Sequence, residues 1–211
     1  MKYAILRTAK IKSVGGIAGS LTHNYRTAPT PNADSDRTHL NEHRGAKSKD
    51  EALEMIKAHI PDKRRKDAVL CVEYLISASP EHFVNGEDGS GYFKDAITWL
   101  EERHGAENVL VTTIHRDETS PHLVAYIVPL DDTGKLNAKK YLGGRHTLSK
   151  MQTDFADRVG KKHGLARGIE GSKARHTTIK QFYAAIEKEP KHGVLKPDSL
   201  EPKVLKKRVL G

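Results

Sequence analysis

The sequence has little cysteine and no long apolar run, and each scarcity excludes a class of protein. Cys71 is the only cysteine among 211 residues, so neither an intramolecular disulfide nor a cysteine-based zinc site can form. It lies in the apolar run 68–76, where we expect a small buried side chain. No run approaches the ~18–20 apolar residues of a membrane-spanning helix, and the chain does not begin with a signal peptide. We therefore expect a cytoplasmic protein with no membrane segment.

Positive charge is in excess, and it is concentrated in the last third of the chain. Lys and Arg total 36 against 27 Asp and Glu, which gives a formal net charge of +9. Residues 1–134 carry 17 basic and 20 acidic side chains, whereas residues 135–211 carry 19 basic and 7 acidic ones. A contiguous basic surface binds phosphates with an affinity that falls as salt rises. The distribution therefore favours a polyanionic partner.

The pattern of apolar residues predicts an α+β fold with an antiparallel sheet. Strands are expected at residues 2–11, 68–76, 109–114 and 123–130. Capping residues predict helices that begin at Ser48 and Ser149, and the polar segment 27–44 is expected to be one long loop. Because a short polar segment joins the last two strands, we expect a hairpin. We therefore predict an antiparallel sheet with helices packed mainly on one face, as a two-layer sandwich.

The connection of this predicted hairpin concentrates metal-ligating side chains between His115 and His122. If residues 116–121 join the strands, His115 lies opposite His122, and directly opposed residues have Cβ atoms ~4.5–5.5 Å apart. The same register pairs Thr113 with Val124 and Val111 with Tyr126. Two imidazoles on one face can bind a divalent ion together with a carboxylate from Asp117 or Glu118. The alternative is a polar turn with two histidines at the sheet edge.

A second group, His23-Asn-Tyr25-Arg26, lies at the end of a predicted helix. Ile17, Leu21 and Tyr25 recur at a spacing of four and define its apolar side. Because a helix turns ~100° per residue, His23 points about 200° away from Leu21. An exposed histidine beside an arginine can attack or bind a phosphate. The alternative is an ordinary solvated histidine.

Three motifs occur in an order that resembles the Mob/Pre (MobV) relaxases, which mobilise small plasmids. They are His23-Asn-Tyr-Arg26, Arg37-Thr-His39-Leu-Asn41 and His115-Arg-Asp-Glu-Thr-Ser-Pro-His122. Segments 64–70 and 171–176 also resemble the family, so the similarity extends from about residue 2 to 188. One departure is Val124, where the family has a further histidine. The paired histidines on one strand that define the HUH signature are therefore incomplete.

The resemblance implies an HUH-endonuclease fold and a relaxase that nicks and rejoins one DNA strand at a plasmid origin of transfer. The reaction it implies is a transesterification with a covalent 5′-phosphoryl-enzyme intermediate. His23 is the expected nucleophile, Tyr25 is the alternative, and Arg26 is the expected phosphate clamp. A tyrosine has an ordinary pKa of ~10, whereas an imidazole is largely neutral and nucleophilic near pH 7.

The resemblance also implies a divalent metal ion, Mn²⁺ or Mg²⁺, as the cofactor. We expect His115, Glu118 and His122 to hold it, because the hairpin register already provides three ligands without a histidine at position 124. Asp117 is expected to orient a neighbouring side chain. The alternative, in which Asp117 and not Glu118 is the metal ligand, stays open.

The expected partner is origin DNA, both its hairpin and its single-stranded tail. Residues 1–190 are expected to form the relaxase domain, and 191–211 a linker toward a C-terminal region absent from this chain. A conjugative coupling protein and dimerisation through that region are further expectations. The residues expected to contact DNA are Arg37, His39, Arg64, Arg65, Lys139, Lys140, Arg145, Lys173, Arg175 and His176. Two other classes stay open: a non-catalytic origin-binding protein and a metal-dependent hydrolytic nuclease.

Overall fold

The computed structural model describes residues 1–84 and 88–170, which form a five-stranded sheet and its covering helices. The strands are β1 (Ala4–Ile11), β2 (Glu42–Arg44), β3 (Cys71–Ala78), β4 (Val109–His115) and β5 (His122–Ile127). Their spatial order is β1-β3-β5-β4-β2, and every neighbouring pair is antiparallel. The short β2 therefore forms one edge of the sheet, and β1 forms the other.

In the part of the chain that the structure describes, five α-helices connect or follow these strands. They are α1 (Val14–Asn24), α2 (Lys49–His59), α3 (Ser90–His104), α4 (Ala138–Leu142) and α5 (Gly144–Arg158). Helix α2 begins where the sequence predicts, because the Ser48 hydroxyl accepts a hydrogen bond from the otherwise unpaired Glu51 amide. Helix α3 ends at Gly105, whose φ of +85° is a conformation that glycine adopts readily.

Two apolar cores lie on opposite faces of the sheet. Along β5, Leu123, Ala125 and Ile127 belong to the core under α3 and α5, while Val124 and Tyr126 belong to the core under α1 and α2. This alternation follows from the two-residue period of a strand. Full burial of a large apolar side chain stabilises the fold by roughly 1.5–3 kcal/mol, so each face gains from a helical layer.

The predicted α+β class and antiparallel sheet with packed helices are confirmed, but the expectation that the helices lie mainly on one face is wrong. Helices cover both faces because β3 is apolar on both sides. Tyr74 and Ile76 face one core, and Cys71 faces the other, all fully buried. A strand of this kind leaves apolar surface exposed unless each face of the sheet has a covering layer.

Two local predictions also differ from the structure. The segment 27–44 is not one loop, since it contains a 3₁₀ helix (Ser35–Leu40) and strand β2, whose side chains are all exposed and show no apolar alternation. Helix α5 begins at Gly144, so Ser149 lies inside it, and its hydroxyl donates to the Glu170 carboxylate rather than capping the helix.

Some predicted features lie outside the described residues. These are the boundary at residue 190, the linker 191–211, and three of the expected DNA contacts, Lys173, Arg175 and His176. Among the residues that the structure describes, no helix is both long and apolar enough to cross a membrane.

Candidate active site

The hairpin of β4 and β5 brings the two motif histidines together. His115 pairs with His122, as the sequence predicts, and the ring centroids are 5.0 Å apart. The predicted pairs of Thr113 with Val124 and of Val111 with Tyr126 are also confirmed. These residues face the side of the sheet that α1 covers, so the end of α1 lies against the hairpin connection.

Helix α1 places His23 beside this connection. The His23 side chain is 45% exposed, and its Nε2 atom lies 3.8 Å from Glu118 Oε1. Arg26 Nη1 lies 3.4 Å from the same nitrogen. The pKa of His23 is lowered below its ordinary value. Partial burial is the largest cause, and the positive charge of Arg26 is the next. The imidazole is therefore neutral near pH 7 and open to solvent, and both properties suit a nucleophile.

Tyr25 has a different environment from its neighbour two residues earlier. Its hydroxyl donates a hydrogen bond of 2.9 Å to the Ala46 carbonyl, and its ring stacks on His43 with centroids 4.6 Å apart. Burial, followed by the charge of Glu51, raises the pKa of Tyr25 to about 12. The hydroxyl proton is held in the hydrogen bond to the Ala46 carbonyl and is difficult to remove. The hydroxyl is therefore a poorer nucleophile than the His23 imidazole.

Arg26 is the centre of the charged cluster. Its φ of +54° is unusual for a residue other than glycine, and it turns the chain at the end of α1. The guanidinium binds Asp117 through two hydrogen bonds of 2.9 and 2.7 Å, and Nη2 also donates to Glu118 at 2.8 Å. Only 9% of the side chain is exposed. The guanidinium is therefore occupied by the two carboxylates.

Asp117 is buried within a set of hydrogen-bond donors. Besides Arg26, the Asn41 amide donates to its Oδ2 atom at 2.8 Å and the Thr38 hydroxyl does so at 3.3 Å. Burial alone would raise the pKa of Asp117, but the hydrogen bonds from Arg26 and Asn41 outweigh it and hold the pKa well below its usual range. Both carboxylate oxygens are thus engaged, which suits an orienting role.

Glu118 lies between the imidazoles of His23 and His122. Its Oε1 atom is 3.8 Å from His23 Nε2 and 4.0 Å from His122 Nε2. Its other oxygen accepts a hydrogen bond of 2.7 Å from the Asn32 amide. Of the two carboxylates, Glu118 is therefore the one that faces both His23 and His122.

The expected DNA contacts lie at two separate places. Arg37 and His39 are exposed on the 3₁₀ helix whose Thr38 reaches Asp117, so they are close to the candidate site. Arg64 and Arg65 lie at the opposite end of the sheet, where they line a groove of about 370 Å³ together with Lys12 and Lys66. The same end of the sheet carries three more of these residues, Lys139, Lys140 and Arg145, which follow β5 in the chain. This segment contacts β1 there, since Lys10 donates to the Leu142 carbonyl.

Residues 1–184 match the sequence profile of a family described as plasmid recombination enzyme, Mob_Pre. The chain belongs to the Mob_Pre family. It is 37% identical over 194 residues to a 65 kDa protein of Zymomonas mobilis, covering 88% of this chain and 33% of that protein. It is 32% identical over 196 residues to plasmid recombination enzyme type 1 of Staphylococcus aureus, covering 86% of this chain and 49% of that enzyme. The chain thus spans a third to a half of the length of these curated relatives.

Two solved structures of the Mob_Pre family share the fold. Both are crystal structures of the MobM relaxase domain (MOBV), bound to oriT DNA of plasmid pMV158 and to Mn. One has a TM-score of 0.74, and the other, whose DNA carries a 3′ thiophosphate, has a TM-score of 0.75. Each is 29% identical to this chain and covers 87% of it and 99% of the domain. The resemblance predicted from the three motifs is confirmed.

Sequence reasoning missed the polar side chains that support the Mob_Pre motifs. Asn24 and Asn41 lie within two of the three motifs, but the sequence pattern assigns a role to neither. Asn41 holds the hairpin connection at two points, since its amide nitrogen donates to Asp117 and its oxygen accepts from the Arg116 amide at 2.8 Å. Thr113 was placed only by register. An amide inside a catalytic motif is itself a signal, because such a side chain both donates and accepts hydrogen bonds.

Proposed function

We propose that this chain nicks and rejoins one strand of DNA at a plasmid origin of transfer by transesterification. The observation that carries the proposal is the half-exposed His23 imidazole, which lies 3.8 Å from Glu118 and beside the His115–His122 hairpin. The oriT DNA in the MobM structures supports the same substrate class. A plasmid substrate implies a reaction in the cytoplasm.

In the proposed reaction, a ring nitrogen of His23 attacks the phosphorus of one phosphodiester. The N–P bond forms as the P–O3′ bond breaks, and the 3′ oxygen takes the bonding pair and then a proton from water. The DNA keeps a free 3′ hydroxyl, and its 5′ phosphate is attached to the protein. Because this link preserves a reactive phosphoryl group, attack by a 3′ hydroxyl reverses the step and rejoins the strand.

We infer that a divalent cation is held by His115, Glu118 and His122, as the Mn in the MobM structures suggests. Two of these donors are close enough to share such an ion, since ligands bound at ~2.0–2.2 Å can lie up to ~4 Å apart, and Glu118 Oε1 is 4.0 Å from His122 Nε2. Mg²⁺ is the alternative to Mn²⁺. When bound, the ion would neutralise charge that develops on the phosphate oxygens.

The guanidinium of Arg26 occupies the space among these donors. Its Nη2 atom lies 3.0 Å from His115 Nδ1 and 2.8 Å from Glu118 Oε1. Within the described ranges, no three His, Cys, Asp or Glu side chains converge as a metal site. An ion bound by all three proposed ligands would therefore require the guanidinium to move away from His115 and Glu118. The predicted phosphate clamp would require Arg26 to exchange its carboxylates for phosphate oxygens. We therefore assign Arg26 the role of orienting Asp117 and Glu118.

The proposal is tested by incubating the protein with an origin oligonucleotide and Mn²⁺, followed by a denaturing gel. A relaxase gives a band of protein covalently joined to the 5′ side of the DNA. A non-catalytic origin-binding protein gives neither cleavage nor this band. A hydrolytic nuclease gives cleaved DNA with a free 5′ phosphate and no adduct, so the three classes are separated in one assay.

We further infer that the DNA contacts both ends of the sheet. Its single-stranded tail would lie near His23, and its hairpin would lie in the groove lined by Arg64 and Arg65. Strand β3 has eight residues, so the two ends are separated by about 23 Å at ~3.3 Å per residue. A duplex of about seven base pairs covers this distance at ~3.4 Å per base pair. A conjugative coupling protein as a partner and dimerisation are further proposals.

We expect the double variant Arg64→Glu/Arg65→Glu to bind a hairpin-bearing origin oligonucleotide more weakly. The slope of log affinity against log salt should fall by about one per lost phosphate contact. Fluorescence anisotropy at several salt concentrations measures both effects. Lys161→Glu/Lys162→Glu is the matched control, since it makes the same charge change beside α3 and α5 on the other face of the sheet. An equal loss in the control would mean that only net charge matters.

A further inference from the structure

A chain of buried and partly buried hydrogen bonds lies behind the candidate site. His43 Nδ1 and the Asn24 amide nitrogen both lie 2.9 Å from Thr113 Oγ1, and the Asn24 oxygen lies 3.0 Å from His115 Nε2. Asn24 is 2% exposed, and Thr113 and His115 are fully buried. The chain ends at His115 Nδ1, which is 3.0 Å from Arg26 Nη2.

The partners of His115 determine which of its nitrogens carries the proton. The Asn24 oxygen can only accept a hydrogen bond, so Nε2 must donate and must carry hydrogen. Arg26 can only donate, so Nδ1 must accept and must be bare. The two contacts come from opposite sides of the ring and require the same tautomer.

The alternative orientation of the Asn24 amide fails this test. With its oxygen and nitrogen exchanged, the amide nitrogen would donate to His115 Nε2, and the proton would have to move to Nδ1. That N–H would then face an N–H of Arg26, so two donors would meet without an acceptor. Because such a buried contact is unfavourable, Arg26 selects a single orientation of the Asn24 amide, whereas the Thr113 hydroxyl can donate or accept and is compatible with either.

His122 presents its other nitrogen to the site. Its Nδ1 atom donates to the Ser120 carbonyl at 3.1 Å, so Nε2 is the nitrogen left to bind a metal, and this atom faces Glu118. The two histidines are opposed in register, yet they offer Nδ1 in one case and Nε2 in the other.

We propose that Asn24 is a positioning residue that holds His115 as its Nε2–H tautomer. Nδ1, the atom that Arg26 contacts in this structure, would then be the atom that binds a cation once the guanidinium has moved away. The role of that cation rests on the proposed function, whereas the tautomer rests on the contacts alone. An oxygen that accepts the second N–H of a ligating imidazole fixes the ring and makes the ligand more basic. Asn24, which supplies this oxygen, directly follows the proposed nucleophile His23.

The tautomer is measured by ¹H–¹⁵N correlation spectra of the full chain with ¹⁵N-labelled histidine, first in EDTA and then with Zn²⁺, which is diamagnetic. The His115 signals are assigned by their loss in His115→Gln. We expect a protonated Nε2 and a bare Nδ1 in EDTA, and a Zn²⁺-dependent shift at Nδ1 of His115 and at Nε2 of His122. A protonated Nδ1, or a metal shift at Nε2 of His115, would overturn the proposal.

Variants at position 24 separate positioning from folding. Asn24→Ala should mix the two tautomers and weaken Mn²⁺ binding about 10–100-fold in calorimetry without DNA. Asn24→Asp keeps an acceptor for Nε2–H and should restore the tautomer. Should Asn24→Ala not fold, Thr113→Val removes the anchor of the amide and should broaden the same signals. Unchanged spectra and unchanged affinity in a folded Asn24→Ala or Thr113→Val variant would count against the proposal.

Asn108→Ala is the matched control. Asn108 is also buried and also contacts a histidine, since its oxygen lies 2.8 Å from His59 Nε2, but it precedes β4 at the other end of the sheet. It should lower stability without changing the His115 signals or the Mn²⁺ affinity. The adduct assay is read separately: an absent adduct with the expected tautomer rejects the function alone, and an adduct with the other tautomer rejects only the role of Asn24.

Discussion

His23→Ala should form no covalent protein–DNA complex, and nicking of origin DNA should fall on the order of 10⁴-fold or more, as expected when a nucleophile is removed. The imidazole is the exposed, neutral nitrogen base beside Glu118, and its backbone carbonyl already satisfies part of Arg26. Alanine keeps that carbonyl and the helix. The variant should therefore fold normally, and the loss should lie in chemistry rather than in stability.

The chemical nature of the adduct gives an independent measurement. A histidine adduct is a phosphoramidate, which hydrolyses in mild acid, whereas a tyrosine phosphodiester is comparatively acid-stable. We expect the complex formed by the wild-type chain to disappear after mild acid treatment and to survive mild alkali. The measurement is the intensity of the shifted band on a denaturing gel before and after each treatment.

Two variants act as controls for His23. Tyr25→Phe keeps the ring that stacks on His43 and loses only the hydrogen bond to Ala46, which costs about 0.5–1.5 kcal/mol of stability. It should still form the adduct. His39→Ala removes another exposed histidine close to the site and should also keep it. If His23→Ala forms an acid-stable adduct and Tyr25→Phe forms none, the tyrosine is the nucleophile and our assignment is wrong.

The parts of this site that the sequence predicted are those governed by local periodicity. The two apolar runs and the six-residue connection predicted the register that pairs His115 with His122. Helical spacing placed His23 away from Leu21, and the structure leaves His23 exposed and Leu21 fully buried. Such patterns depend on residues a few positions apart, so they can be read from one sequence.

The contacts that sequence reasoning missed join residues far apart in the chain. Arg26 and Asp117 are separated by 91 positions, and so are Asn24 and His115. Nothing near Arg26 indicates that two carboxylates will occupy its guanidinium. The second helical layer was missed for a related reason. An apolar strand predicts burial, but the chain must be folded before it is clear which helices cover each face.

Removing either proposed ligand, through Glu118→Ala or His122→Ala, should abolish nicking, because the phosphate loses the cation that neutralises its developing charge. Both side chains are at the surface of the cluster, with 15% and 12% of their areas exposed, so the variants should still fold and bind origin DNA. Calorimetric titration measures the expected loss of Mn²⁺ binding, and the gel assay measures the loss of nicking. Full nicking in EDTA would remove the metal from the mechanism.

Asp117→Ala should behave differently, and this contrast distinguishes the two carboxylates. Asp117 is fully buried and carries two of the hydrogen bonds of Arg26, whose guanidinium would be left partly unpaired in the variant. Breaking a buried ion pair by removing one partner costs about 3–5 kcal/mol, so urea unfolding should shift strongly toward lower concentration. In Glu118→Ala the shift should be smaller, because Arg26 keeps Asp117. If Asp117→Ala instead leaves stability unchanged and abolishes Mn²⁺ binding, Asp117 is the ligand and the assignment of Glu118 is wrong.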